Sequence, residues 1–399
     1  GPGAGEHGGR LVAMGPPATI EACQESSTGA YLRGELDWGH ADLVDENGGP
    51  RMAPWPSLKL FGAKTHNLKG VDLEVPFGKI LGICGPSGSG KSSLVLDSLV
   101  PALKGELPAG RWGRVQGLLG GDLRISVVDA SPIGRSPRSV PATYAGLMDP
   151  LRALFVRTPD ARMQGFTLAN FSFNSSKGRC PACEGLGSTK VEMQFLADLW
   201  LECEECDGKR YRPEVLDVRY RDQSIADVLA MSVDEARVFL EHQKDLRPIL
   251  DALASVGLGY LRLGQAATTL SGGEAQRVKL AGELAHADRL GRGLVILDEP
   301  STGLAGCDVV HLARALRGLA RKGNAVLIIE HHTDLLNIAD YLIELGPEGG
   351  GAGGHVVAQG TPLELAKDRK SITGPFLAQG RAQVGAPRRK AKATTGGKA

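Results

Sequence analysis

The chain carries almost no net charge: 46 Lys and Arg stand against 45 Asp and Glu, leaving +1 over 399 residues. A uniformly basic field that would draw in nucleic acid is therefore excluded, and any such contact must be a local patch. Long apolar runs are also missing. None reaches the roughly 18 residues needed to cross a bilayer, and no signal-peptide pattern is present, so a cytoplasmic chain without a membrane partner is expected. Cysteine is scarce and odd in number. Cys23, Cys84, Cys180, Cys183, Cys203, Cys206 and Cys307 cannot all pair. Four of them form two C-x-x-C pairs, so a reducing compartment and one metal site account for them better than a disulfide framework. The 42% apolar content is that of a soluble globular protein, and the length leaves room for two or three compact units.

The most informative stretch that is present is Gly85-Pro-Ser-Gly-Ser-Gly-Lys-Ser92. It fits G-x-x-x-x-G-K-[ST], the phosphate-binding loop of nucleotide triphosphatases. A buried-strand run, Lys79–Cys84, precedes it, and Ser93–Val100 follows with helical apolar spacing. Strand, loop and helix in that order aim backbone N–H groups and a helix N-terminus at phosphate. Candidate ATP contacts are Gly85, Ser87, Gly88, Ser89, Gly90, Lys91, Ser92 and Ser93. Lys91 suits the β- and γ-phosphates, and the Ser92 hydroxyl suits Mg²⁺.

Two further stretches read the same way. Leu270-Ser-Gly-Gly-Glu-Ala-Gln-Arg277 opens a helix with two glycines near its N-terminus, again an anion-binding geometry; its candidate residues are Leu270, Ser271, Gly272, Gly273, Glu274 and Gln276. Leu294–Pro300 is a buried strand ending in two acids. Asp298 is placed to hold Mg²⁺ through water, and Glu299 to orient or deprotonate an attacking water. A buried strand ending in unpaired acids would otherwise be costly. Ala325–Ile329 is a second buried strand, ending at Glu330-His331-His332. His331 suits a γ-phosphate contact, although a histidine at a strand end also has ordinary structural uses.

Cys180-Pro-Ala-Cys183 and Cys203-Glu-Glu-Cys206 are 19 residues apart. C-x₂-C-x₁₉-C-x₂-C is a zinc spacing, and four thiolates leave no open position, so the metal is expected to be structural Zn²⁺. A thioredoxin-like redox role would need only one of the pairs. Val191–Leu196 and Leu199–Leu201 are the expected arms of a hairpin between the pairs. Lys177, Arg179, Lys190, Lys209 and Arg210 flank them, a candidate nucleic-acid contact that composition alone does not separate from a solvated face. Arg135 and Arg138 lie in Ser131–Tyr144, a stretch too proline-rich for a regular element. They suit phosphate contact, and they suit an ordinary surface loop equally well.

The chain also repeats itself. Residues 1–32 align without a gap on residues 346–377 through shared glycines, prolines, Val-Ala and Thr-Gly. The expected division is a closing segment of an upstream module (1–32), a linker (33–56), a first part of an ATP-binding domain (57–128), an inserted domain (129–268) with a zinc module at 180–206, the signature helix with the second part of the ATP-binding domain (269–380), and a basic disordered tail (381–399).

Together the phosphate loop, the Leu-Ser-Gly-Gly-Glu signature, the Asp-Glu strand end and the histidine form the ABC ATPase set. Ser271 lies 180 positions after Lys91, much further than in a transporter ATPase subunit, and the insert holds the four cysteines. That combination resembles UvrA, as do Ser131–Arg138, Phe171–Asn174, Gly178–Cys180, Lys209–Tyr211, Leu270–Leu280 and Leu345–Gly349. The resemblance implies an α/β fold, an ABC-type P-loop ATPase with an inserted helical signature domain carrying a zinc module, equivalent to the C-terminal half of UvrA. It further implies an ATP-hydrolysing, DNA-binding subunit of the nucleotide excision repair excinuclease, using ATP, Mg²⁺ and Zn²⁺. Damaged double-stranded DNA, a second ABC module (the N-terminal half or another copy), UvrB and UvrC are the implied partners. UvrB contact is expected through the missing half, and nuclease activity is not expected in this chain. Two positions depart from the family: Ala130 stands where a Mg²⁺- and water-sensing glutamine is usual, and Ala305 where histidine is usual. The alternative is a UvrA-like paralogue serving as a drug-resistance or transport-type ATPase. A chromosome-organising ATPase would need a long heptad coiled coil between phosphate loop and signature, and the insert has none.

Overall fold

The structure is a computed structural model that describes residues 8–36, 38, 56–106, 114–116, 123–134, 136–191, 199–287 and 293–377. Arg135, the tail 381–399 and most of the expected linker lie outside the described residues. In chain order the strands are β1 (Ser57–Ala63), β2 (Val71–Pro76), β3 (Ile80–Cys84), β4 (Arg114–Gln116), β5 (Arg124–Val128), β6 (Ser188–Val191), β7 (Leu199–Glu202), β8 (Gly293–Asp298), β9 (Ala325–Ile329), β10 (Tyr341–Gly346) and β11 (His355–Gly360). The chain divides into two compact units. One comprises residues 1–10, 128–291 and 302–304, and the other residues 11–127, 292–301 and 305–399.

The second of these units is built on a six-stranded sheet of order β11-β10-β3-β9-β8-β5, beside a three-stranded sheet β2-β1-β4. β10, β3, β9 and β8 run parallel, and β11 pairs antiparallel with β10. Parallel strands covered on both faces must be apolar throughout rather than alternating. β3 and β9 are accordingly buried at every residue, and β8 at all but Asp298. β2, half-covered, alternates buried and exposed along Val71–Val75. Because the four central strands share a direction, their carboxyl ends emerge along one edge, the place where open α/β sheets bind ligands. The phosphate loop and Glu330 follow those ends, and Asp298 and Gly346 are themselves the last residues of β8 and β10.

The stretch after the phosphate loop is helical but not uniformly so. Lys91–Leu94 is α-helix, Val95–Leu99 is a π turn, and Val100–Lys104 closes the run at Gly105, φ +71°. The Ser98 hydroxyl donates to Ser93 O at 2.7 Å inside the widened turn.

The other unit is helical, with a small hairpin. Three of its helices start where a serine side chain accepts a backbone N–H: Ser224, Ser232 and Ser271 each form a capping box with the acid three residues on. Phe155, Phe171, Phe173 and Tyr211 are buried, in tilted or edge-on pairs with ring centroids 5.7 and 5.8 Å apart. One sequence expectation needs correction here. The proline-rich stretch Ser131–Tyr144 does contain a helix, Pro141–Tyr144, because Pro141 occupies the first turn, where its missing N–H costs nothing. In the hairpin, Ser188–Val191 pairs with Leu199–Glu202, and all but Val191 of the expected arm Val191–Leu196 lies outside the described residues. Cys203 N donates to Gly187 O (3.1 Å) and Ser188 pairs with Glu202, so pairing begins at the cysteine turns and fixes the register from there.

Candidate functional site

The phosphate loop uses its glycines for conformation and for space. Gly85, Gly88 and Gly90 have φ of +129°, +73° and +105°. A Cβ on Gly85 would lie 1.9 Å from Leu345 O, so only glycine fits between β3 and β10. Lys91 Nζ donates to Gly85 O (3.0 Å) and Pro86 O (2.9 Å), lying over the loop. Burial pushes Lys91 below its ordinary pKa, against the pull of Glu299, Cys84 and Asp298. Ser89 Oγ is buried without a hydrogen-bond partner. A glycine cradle, a partly desolvated lysine and an orphaned buried hydroxyl together fit a phosphate chain. Ser87 and Ser92 are exposed, and Ser93 is half-buried.

Sequence reasoning missed a second layer under this loop. Gly350 N donates to Gly88 O (3.0 Å) and Gly354 N to Ser89 O (3.0 Å). Asn67 Nδ2 bridges Gly88 O (3.1 Å) and Gly350 O (3.0 Å). Cβ atoms on Gly349 and Gly354 would fall 2.7 Å from Ser87 O and 2.0 Å from Asn67 O. The Gly-rich stretch after β10, read from sequence as one half of a repeat, is therefore a backbone-to-backbone buttress of the phosphate loop. The only signal for it was the density of glycine.

At the end of β8, Glu299 adopts φ +47°. For a non-glycine residue that conformation costs of order 1–3 kcal/mol and persists where surrounding contacts impose it, typically at functional sites. Its N–H donates to Ile329 O at 2.9 Å, tying the turn to β9. His331 is 65% exposed, with Nδ1 3.7 Å from Glu330 Oε1. Asp298 is thus the last residue of β8, and Lys91, Glu299 and His331 follow the carboxyl ends of neighbouring strands. Ala305 precedes the helix Gly306–Arg321 and offers its N-terminus no side-chain cap.

The signature residues open the 15-residue helix Gly272–His286. Ser271 accepts from Glu274 N (3.2 Å), and Glu274 accepts from Ser271 N (2.8 Å), Ser271 Oγ (2.9 Å) and Tyr260 Oη (2.7 Å). Burial raises the Glu274 pKa, but these donors win and hold it below the usual carboxylate range. Leu270 and Gly273 are half-buried, while Ser271 and Gly272 are exposed. Gln276, buried, donates to Val128 O (3.1 Å), and Lys279 Nζ bonds Asp129 O (3.1 Å), the Asp129 carboxylate and Ser131 Oγ (2.7 Å). Ala130 lies within that clasp, its Cβ 3.5 Å from the position a Cβ on Gly272 would take. The segment around Ala130 is thus fastened to the helix Gly272–His286 through Gln276 and Lys279.

The Sγ atoms of Cys180, Cys183, Cys203 and Cys206 are buried and lie within 4.8 Å of one another. Cys180–Cys203 and Cys183–Cys206 are 4.0 and 3.7 Å apart. Zn–S bonds of about 2.3 Å put tetrahedral sulfurs about 3.8 Å apart, so the cage fits. Gly187 N and Arg210 N donate to Cys183 and Cys206 at 3.3 and 3.4 Å, the outer contacts such a site needs. The basic candidates separate. Lys177, Lys190 and Lys209 are exposed. Arg138 and Arg179 approach Glu184 at 3.3 and 3.9 Å. Arg210 turns inward, 5.3 Å over the Phe173 ring and bonded to Pro137 O at 3.3 Å.

No family model matches the chain. It is 46% identical over 382 residues to UvrABC system protein A of Staphylococcus aureus (strain COL), covering 94% of this chain and 40% of that protein. It is 47% identical over 384 residues to UvrABC system protein A of Mycobacterium tuberculosis (strain CDC 1551 / Oshkosh), covering 95% of this chain and 39% of that protein. The crystal structure of UvrA2 from Deinococcus radiodurans superposes with a TM-score of 0.83 at 45% identity, over 95% of this chain and 45% of that one. The chain therefore spans about two-fifths of the length of the curated relatives it matches.

Proposed function

From the premise that this chain, an ABC-type α/β ATPase fold, is homologous to the UvrA proteins, we propose that it is the ATP-driven, DNA-gripping part of a nucleotide excision repair subunit that recognises damaged duplex. The observation that carries the reading is the convergence of the phosphate loop, Asp298-Glu299 and His331 at the carboxyl ends of parallel strands. In this reading Gly85–Gly90 cradle the phosphates through backbone N–H groups, and Lys91 moves from Gly85 O and Pro86 O onto the β- and γ-phosphates. Ser92 and Asp298 have the hard oxygen donors that Mg²⁺ takes, and a bound Mg²⁺ supplies neutralisation of phosphate charge. Glu299 orients or deprotonates the attacking water, and His331 contacts the γ-phosphate.

Exposed Ser271 and Gly272, at the N-terminus of a 15-residue helix, present N–H groups to a nucleotide held by another module. That module is the N-terminal half of the protein or a second copy. Zn²⁺ in the four-cysteine cage crosslinks the base of the hairpin and leaves no catalytic position open. Lys177, Lys190 and Lys209 then contact DNA phosphates, while Arg210 serves the fold. Double-stranded DNA, UvrB and UvrC are the partners, UvrB through the part of the protein outside this chain, and the compartment is the cytoplasm. The expected division into modules, with residues 1–32 closing an upstream one, follows from the same premise. The transport-type alternative has no observation in its favour.

The test is phosphate release by the intact protein, with and without duplex. Expected is ATP hydrolysis that responds to duplex and that Lys91→Ala reduces at least a hundredfold. Hydrolysis untouched by that substitution would overturn the assignment of the site.

A further inference from the structure

Glu330 is fully buried, yet it sits one residue from an exposed histidine. A buried carboxylate needs partners, and here all of those seen belong to the turns of the hydrolytic site. Oε1 accepts from Ser301 Oγ (2.9 Å), His331 N (2.9 Å) and His332 N (3.0 Å), and Oε2 accepts from Ser301 N (3.2 Å). The turn after β8 runs Glu299-Pro300-Ser301, and proline has no N–H to place. Both remaining N–H groups of that turn end on β9 or the residue after it: Glu299 N on Ile329 O, Ser301 N on Glu330. Glu330 N in turn donates to Ile83 O (3.0 Å), two residues before the phosphate loop.

We propose that Glu330 is a positioning residue for ATP hydrolysis: its carboxylate clamps the Glu299 turn and the His331 turn to each other, so that the two reacting side chains hold one spacing. This rests on the functional reading above. The left-handed backbone of Glu299, φ +47°, relaxes unless neighbours impose it, and the clamp supplies that constraint within two residues. An amide in place of the carboxylate points an N–H₂ at a cluster of four donors. It cannot satisfy all of them, although its volume is unchanged. Ser301 carries the same connection from the other side, and Ser301→Ala removes one of the four bonds while leaving the Ser301 N–H in place.

The test compares E330Q, E330D and S301A with the parent in the intact protein, reading turnover and nucleotide affinity separately. Expected for E330Q is a 30-fold or greater loss of kcat, with the Kd for a fluorescent ATP analogue unchanged within twofold. S301A is expected to lose three- to tenfold in kcat, and E330D to recover part of the E330Q loss. Amide hydrogen exchange, measured without nucleotide, is expected to quicken in the peptides spanning 298–302 and 330–333 of E330Q and nowhere else. Equal loss of kcat and affinity, unchanged kcat, or exchange quickening throughout the sheet would each overturn the proposal. Should E330Q not fold, S301A decides alone: an unchanged kcat refutes the clamp. If the parent itself hydrolyses no ATP, the functional reading fails, and the exchange comparison still decides whether the clamp exists.

Discussion

Replacing Gly85 with alanine puts a methyl group where the sheet already holds a carbonyl. The new Cβ would lie 1.9 Å from Leu345 O and 3.0 Å from Leu345 C. Reaching even a tight contact of about 3 Å requires β3 and β10 to part by more than 1 Å locally, in an interior that compresses little. β10 cannot retreat freely, because Leu345 pairs with Val356 of β11 on its other side. Overpacking of this kind costs roughly 1–3 kcal/mol, and φ of +129° adds roughly 1–2 kcal/mol for a residue with a Cβ. The expected destabilisation is therefore roughly 2–5 kcal/mol, centred on the phosphate loop. Gly350→Ala is the internal control: φ is +65°, but nothing lies within 4 Å of its Cβ, so only the conformational cost of roughly 1–2 kcal/mol applies. Urea unfolding followed by a probe in this unit, with nucleotide affinity measured in parallel, separates the two. Equal losses in G85A and G350A, or a G85A protein that binds nucleotide normally, would refute the packing argument.

Further outcomes follow from single contacts. Tyr31→Phe removes the hydroxyl that donates to the buried Asp334 carboxylate. The unfolding free energy is expected to fall by about 1–3 kcal/mol, and a thermal melt unchanged from the parent would contradict the contact. Cys203→Ser is expected to abolish retention of one zinc per chain, read by elemental analysis after gel filtration; full retention would show that the cage is not the binding site. Glu274 has a folded pKa below its unfolded one, so its contribution is fully present above about pH 4.3 and is lost as pH falls through the lower folded value. Its partial exposure keeps that contribution small. E274Q should flatten this acid limb of the stability profile, and an unchanged limb would contradict the assignment.

The motif residues were legible because each is a side-chain pattern tied to one strand end or helix start. Lys91 and His331 fall after β3 and β9, Asp298 ends β8, and Ser271 caps its helix through Glu274. What stayed hidden was carried by backbone or by distance. The buttress of Gly349–Gly354 on the phosphate loop is a backbone contact between segments about 260 residues apart, and composition records it only as glycine. Glu330 reads as one more acid until its four donors are seen. Arg210 reads as basic surface, but the Phe173 ring and Pro137 O draw it inward.

The central claim, a nucleotide-driven grip on damaged duplex, is tested most directly by fluorescence anisotropy of the protein with undamaged and lesion-bearing duplex, with and without ATP, across a salt series. Expected is tighter, ATP-dependent binding to the lesion, with affinity falling steeply as salt rises because phosphate contacts release counterions. Equal affinity for both duplexes in either nucleotide state, or binding insensitive to salt, would contradict it.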